Sequence, residues 1–133
     1  MISKKKKRKK KCRYNRIEFF SLKANKLLKS RSGWEYAYFQ YLDNNQDVKS
    51  YEYESLKIPY LSNKKSGKIR NYIPDFIITY IDGTVLIIEI KPKRFLEKLQ
   101  IKKKLIAAKE YAEKNKIQFK VLTEDDLNAL NLI

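Results

Sequence analysis

Beyond residue 30 the chain switches between two apolar spacings. Trp34, Ala37, Tyr38 and Tyr41 recur at i, i+3, i+4 and i+7 and predict a helix with those residues as its buried stripe. Ser32-Gly33-Trp34-Glu35 has the spacing of a capping box, so the helix starts there and runs to about Leu42, where Asp43-Asn44-Asn45 ends it. Residues 48–60 and 68–81, rich in Tyr and Ile, read as strands on either side of the turn-rich stretch 62–67. Residues 84–90 are almost wholly apolar and β-branched, which suits a central strand covered on both faces. A second helix is expected over 95–114, with Ile101, Leu105, Ala108 and Ala112 inward and Lys98, Lys102, Lys103 and Lys109 outward. A short strand over 118–122 follows, and Thr123 can cap a last helix over 124–130. The order α-β-β-β-α-β-α predicts an α/β fold, a mixed central sheet flanked by helices. Upstream, residues 17–28 read as a short helical or irregular lead-in and residues 1–16 as a disordered arm. The expected organisation is an arm and lead-in over 1–29 and one folded domain over 30–133.

Composition narrows what such a domain can do. At 133 residues there is room for one compact domain. No apolar run approaches the ~20 residues that cross a bilayer, and the opening lysines are not followed by the apolar stretch of a secretory signal. A cytoplasmic protein without a membrane partner is the simplest expectation. Cys12 is the sole cysteine, so an internal disulfide and Cys-rich zinc sites are excluded, and its basic surroundings give it no role. The absence of histidine removes Ser-His-Asp and Cys-His nucleophile systems, HNH-type sites and a His general base. Chemistry must use carboxylates, lysine, hydroxyls or a metal held by oxygen. The net charge is +16, and residues 1–16 hold ten basic residues and no acidic one: Lys4, Lys5, Lys6, Lys7, Arg8, Lys9, Lys10, Lys11, Arg13 and Arg16. The other 21 basic residues still outnumber the 15 acidic ones. A polyanion, nucleic acid above all, is the natural partner, and the arm can bind it by counterion release without reading sequence. A basic run can also serve solubility, targeting or an anionic membrane surface.

Three charges interrupt the apolar stretch from Ile73 to Lys91: Asp75 entering one strand, then Glu89 and Lys91 leaving the next. Register decides whether they meet. A two-residue loop of Asp82-Gly83 sets Asp75 opposite Ile90 and sends Glu89 and Lys91 to the other face. A three-residue loop, Ile81-Asp82-Gly83, pairs Tyr80 with Thr84 and places Asp75 opposite Glu89. Gly83 then falls where that turn needs a left-handed residue, so the three-residue loop is the expected one. Two carboxylates ~5 Å apart on adjacent strands repel each other, and a divalent cation removes the conflict. Magnesium is commonly held by one or two carboxylates plus a phosphate oxygen. A lysine on the same face can orient water or offset developing charge. Against this, solvated Asp, Glu and Lys are ordinary at strand ends, and Glu-x-Lys alone means little in so lysine-rich a chain.

Pro74-Asp75 with Glu89-x-Lys91 resembles the signature of the PD-(D/E)xK nuclease superfamily. Arg31-Ser32-Gly33-Trp34-Glu35, Glu54, Ile58-Pro59-Tyr60, Tyr72-Ile73-Pro74-Asp75-Phe76 and Glu89-Ile90-Lys91-Pro92-Lys93 resemble, in that order, both tailed-phage head-completion nucleases and TnsA-type transposon endonucleases. The resemblance spans about residues 30–127. It implies a restriction-endonuclease-like αβββαβ core and a Mg²⁺-dependent endodeoxyribonuclease, with Mn²⁺ as the alternative ion. It implies Asp75, Glu89 and the Ile90 carbonyl as metal ligands, and Lys91 as the residue assisting the attacking water. Glu35 matches the acidic residue many members add to the site, although the capping box explains it without chemistry. Trp34 is expected in the core and Glu54 as a surface strand residue. Arg31, Arg70, Lys93, Arg94 and the arm are candidate phosphate contacts, and Lys93 and Arg94 equally suit a solvated lead into the helix.

The expected setting is phage head completion and DNA packaging, with head or portal proteins as partners, or transposon-end cleavage with a transposase. Small size favours the former. The competing readings are a Holliday-junction resolvase, a non-catalytic DNA-binding virion-assembly protein of nuclease-like fold, and a basic tRNA- or ribosome-associated factor. The arranged carboxylates argue against the last two.

Overall fold

The computed structural model describes residues 16–133. Helix α1 (Gly33–Asn44) is capped by Ser32, whose hydroxyl accepts from the Glu35 amide at 3.1 Å. Its buried stripe is Glu35, Tyr38, Phe39 and Leu42, one residue on from the expected one, with Trp34 and Tyr41 only half-buried. Both sets satisfy the same spacing. Phe39 and Leu42 carry no polar atom and take the interior, leaving the amphipathic rings at the rim.

Each of the two long strands expected over 48–60 and 68–81 is divided. Strand β3 (Val48–Tyr53) stops at Glu54, whose φ of 53° turns the backbone before β4 (Ile58–Asn63). Strand β5 (Lys68–Tyr72) stops ahead of Pro74, and β6 (Phe76–Tyr80) starts after Asp75. Among the described residues, the turn-side halves β4 and β5 pair only with each other. The remaining halves join β7 (Val85–Ile90) and β8 (Gln118–Leu122) in a four-stranded sheet of order β3-β6-β7-β8. Three strands meander antiparallel; β8 lies parallel to β7 after the crossover through α2 (Leu99–Lys114). This is the αβββαβ arrangement with a hairpin inserted between its first two strands, consistent with the restriction-endonuclease-like fold. A separate 3₁₀ turn (Lys93–Phe95) precedes α2, because Lys98 is extended and the helix restarts after it. Helix α3 (Glu124–Ala129) ends the chain, with the Thr123 amide donating to Asp126 at 2.8 Å.

Residues 17–28, expected to be helical or irregular, instead form most of a hairpin of β1 (Glu18–Ser21) and β2 (Lys26–Lys29). Alternation explains it: Leu28 is buried and Phe19 stacks on Phe39 and meets Tyr36 edge-on, while Phe20 and Leu27 face out. The ordered fold therefore reaches upstream of Ser30.

Two apolar clusters set the layers. Helix α1 covers one sheet face, with Tyr38, Phe39 and Leu42 against Tyr53, Phe76, Ile78 and Ile88. On the other side, Ala108 of α2 packs with Ile58, Tyr60 and Tyr72 of the β4–β5 hairpin. Among the described residues, no helix is long and apolar enough to cross a membrane.

Candidate active site

The β6–β7 connection has the three-residue geometry. The Tyr80 amide donates to the Thr84 carbonyl at 2.9 Å, the Gly83 amide donates back to Tyr80 at 3.0 Å, and Gly83 has φ +89°. That φ is costly for any residue with a Cβ, so the glycine holds the register. Phe76 pairs with Ile88 and Thr79 with Val85, which sets Asp75 opposite Glu89. Strand alternation brings Asp75, Glu89 and Lys91 to the sheet face turned toward α2, where they line one cavity of about 290 Å³.

Each carboxylate is held. The Ile90 amide donates to Asp75 Oδ2 at 2.7 Å. In an extended strand the amide and carbonyl of one residue face the same edge, so the Ile90 carbonyl is directed toward Asp75 as well. Glu89 Oε1 accepts from the Tyr72 hydroxyl at 2.7 Å and the Asp75 amide at 3.2 Å, and its Oε2 lies 3.4 Å from Lys91 Nζ. Glu35 accepts from the Tyr53 hydroxyl and from Ser32 Oγ at 3.0 Å, so it belongs to the cap and to the site at once.

Glu54 corrects the expectation of a surface strand residue. The left-handed turn that ends β3 carries it inward, and its amide donates to the Asp75 carbonyl at 2.9 Å. Carboxylate oxygens of Glu35, Glu54 and Asp75 all lie within 4.8 Å of one another. Arg31 Nε pairs with Glu54 Oε2 at 2.6 Å. Glu89 stands beside this triad, its Oε1 bonded by Tyr72 and the Asp75 amide and its Oε2 facing Lys91.

The electrostatics follow from crowding. Burial, then the charges of Glu89 and Glu35, hold the Asp75 carboxyl well above the usual range. Burial raises Glu35 and Glu89 as well, against the lowering effect of bonds from Tyr53 and Ser32 to the first and from Tyr72 and Lys91 to the second. Burial next to carboxylates pushes the Tyr53 and Tyr72 hydroxyls far up, so both remain donors. Three carboxylates with oxygens within 4.8 Å of one another, two of them buried, fit a divalent cation of the hard, oxygen-preferring kind.

The family model described as TnsA-like endonuclease N terminal matches residues 45–124. The chain belongs to the TnsA-like endonuclease family. It is also 34% identical over 122 residues to the head completion nuclease of Enterobacteria phage T4, covering 75% of this chain and 81% of that protein. Both are members of the nuclease superfamily that the Pro-Asp and Glu-x-Lys motifs resemble, and the chain is a nuclease by that membership. The span matched by the TnsA-like endonuclease model contains Glu54, Asp75, Glu89 and Lys91 and leaves out Arg31 and Glu35.

Of the expected phosphate contacts, Arg31 sits at the site, and Arg70 is exposed on β5. Lys93 is tied to α3, its ammonium to Asp125 and its amide to Glu124 at 2.8 Å. The Arg94 guanidinium lies over the Phe95 ring at 4.8 Å, and Arg16 is exposed. Lys4, Lys5, Lys6, Lys7, Arg8, Lys9, Lys10, Lys11 and Arg13, with Cys12, lie outside the described residues. Tyr53, Tyr72 and Glu54 were not legible as site residues. The tyrosines look like ordinary strand alternation, and nothing in Tyr53-Glu54-Ser55 announces a left-handed backbone.

Proposed function

We propose that this nuclease is a metal-dependent DNA endonuclease that hydrolyses backbone phosphodiester bonds during phage head completion and DNA packaging. The cross-strand pairing of Asp75 with Glu89, with Lys91 on the same face and two further carboxylates beside them, carries the reading. An acidic pocket on a chain of net charge +16 opposes a phosphate unless a cation is bound there. Asp75 is shared by both carboxylate groups and is the central ligand; Glu89, the Ile90 carbonyl, Glu35 and Glu54 complete the donor set. When bound, an ion held by these residues, Mg²⁺ with Mn²⁺ as the alternative, would lower the pKa of a water and offset charge on the phosphate. Lys91 orients the attacking water and offsets charge developing on the phosphate oxygens. Tyr72 and the Asp75 amide fix the rotamer of Glu89, and Tyr53 does the same for Glu35. Arg31, Arg70, Lys93, Arg94 and the basic arm contact flanking phosphates.

The extent of the match to the phage nuclease, 81% of its length, favours the packaging role. The TnsA-like match favours a second role, transposon-end cleavage beside a transposase. Incubation with supercoiled plasmid and with branched DNA, in Mg²⁺ or EDTA, tests the activity. Mg²⁺-dependent cutting should be lost in Asp75→Ala and Lys91→Ala. Binding without cutting by the wild type, on every substrate and in either Mg²⁺ or Mn²⁺, overturns it in favour of a non-catalytic assembly protein.

A further inference from the structure

On α2, three consecutive lysines have different fates. Lys102 pairs with Glu97 at 3.0 Å, and Lys103 donates to the Ser62 carbonyl at 3.0 Å. Lys104 makes neither kind of contact among the described residues, although it is half-buried. It lines the catalytic cavity with Asp75, Glu89 and Lys91. It also lines a second cavity of about 460 Å³ between the β4–β5 hairpin and the start of α2, with Lys68, Arg70 and Gln100. No acidic residue lines that second cavity. The first turn of α2 has no acidic residue and no side-chain cap, which adds positive potential at the same end. Nor do the catalytic carboxylates require Lys104: Glu89 already has Lys91 and Tyr72, and Asp75 has the Ile90 amide.

We propose that Lys104 is a phosphate-binding residue that joins the two cavities into one track. The backbone of the cleaved strand leaves the carboxylate centre past Lys104 and continues between Arg70, Lys68 and Gln100. The assignment rests on the DNA-cleaving reading and adds to it the direction in which the strand runs.

Binding of a short fluorescent duplex in EDTA, followed against salt concentration, tests the track without requiring cleavage. Each phosphate contact contributes a slope of about 0.9 in log K against log salt, which is about eightfold in affinity at 0.1 M salt. Lys104→Ala and Arg70→Ala should each lose about that slope, Lys104→Arg should retain it, and exposed Lys109→Ala should change it by less than half as much. Melting temperatures equal to the wild type's confirm folding of each variant. The Mg²⁺-induced rise in melting temperature should be the same in Lys104→Ala as in the wild type. A wild-type slope in Lys104→Ala overturns the track, and more so if the Mg²⁺-induced rise changes, because Lys104 then serves the carboxylates. A wild type that binds DNA with the expected slopes but never cuts leaves the track standing and overturns the cleavage reading. A wild type that binds no DNA, in EDTA or in Mg²⁺, overturns both.

Discussion

Asp75 bears most of the electrostatic conflict in the site. Its folded-state pKa is raised well above the ordinary value by burial and by Glu89 and Glu35. Between the unfolded and folded values the native state holds a proton that the unfolded chain has released, so stability falls as pH rises through that window. Above the raised pKa the penalty is complete; below the unfolded value it is absent. Asp75→Asn keeps an oxygen for the Ile90 amide and removes the charge. In EDTA at pH 8, urea unfolding should therefore find it more stable than the wild type, with a higher midpoint at unchanged slope. At pH 3, below the unfolded value, the difference should disappear. A less stable Asn variant at pH 8 would show that crowding among these carboxylates is already relieved without a cation.

At the scale of elements, the site depends on how the β4–β5 hairpin sits against α2. Ala108 is fully buried at that contact with Ile58, Tyr60 and Tyr72, and Tyr72 in turn holds Glu89. Ala108→Leu adds volume to a filled contact and should cost about 1–3 kcal/mol. It should also lower the cleavage rate although Ala108 touches no reacting group; full activity in a destabilised variant would show that seating and chemistry are independent. The sequence made the elements with local signals readable. Ser32 and Thr123 marked helix starts, and Gly83 fixed the β6–β7 register that brings Asp75 to Glu89. It did not reveal the breaks at Glu54 and Pro74 as strand ends, since both interrupt long runs of Tyr and Ile that look continuous. The β1–β2 hairpin was equally hidden, because four-residue strands offer too little alternation to separate from a helical turn. Glu54 reached the site through a left-handed backbone set by tertiary context.

Across the whole molecule, charge is divided between a basic exterior and an acidic centre. Nine of the 31 basic residues lie in residues 1–15. Removing that segment should lower DNA affinity and reduce the salt slope by several units, at about 0.9 per lost phosphate contact. Turnover at saturating DNA should stay within about twofold, because no group of the carboxylate centre lies there; a collapse of turnover would place part of the arm in the reaction. The inserted hairpin has a mechanical consequence. It shares no hydrogen-bonded ladder with the central sheet, which it joins through two chain segments while packing on α2. Glu54 stands on the outgoing tether and Asp75 on the returning one, with the Glu54 amide bonded to the Asp75 carbonyl between them. Two of the carboxylates thus stand at the foot of the hairpin, so a substitution that reseats it on α2 would also shift the oxygens that would grip the ion.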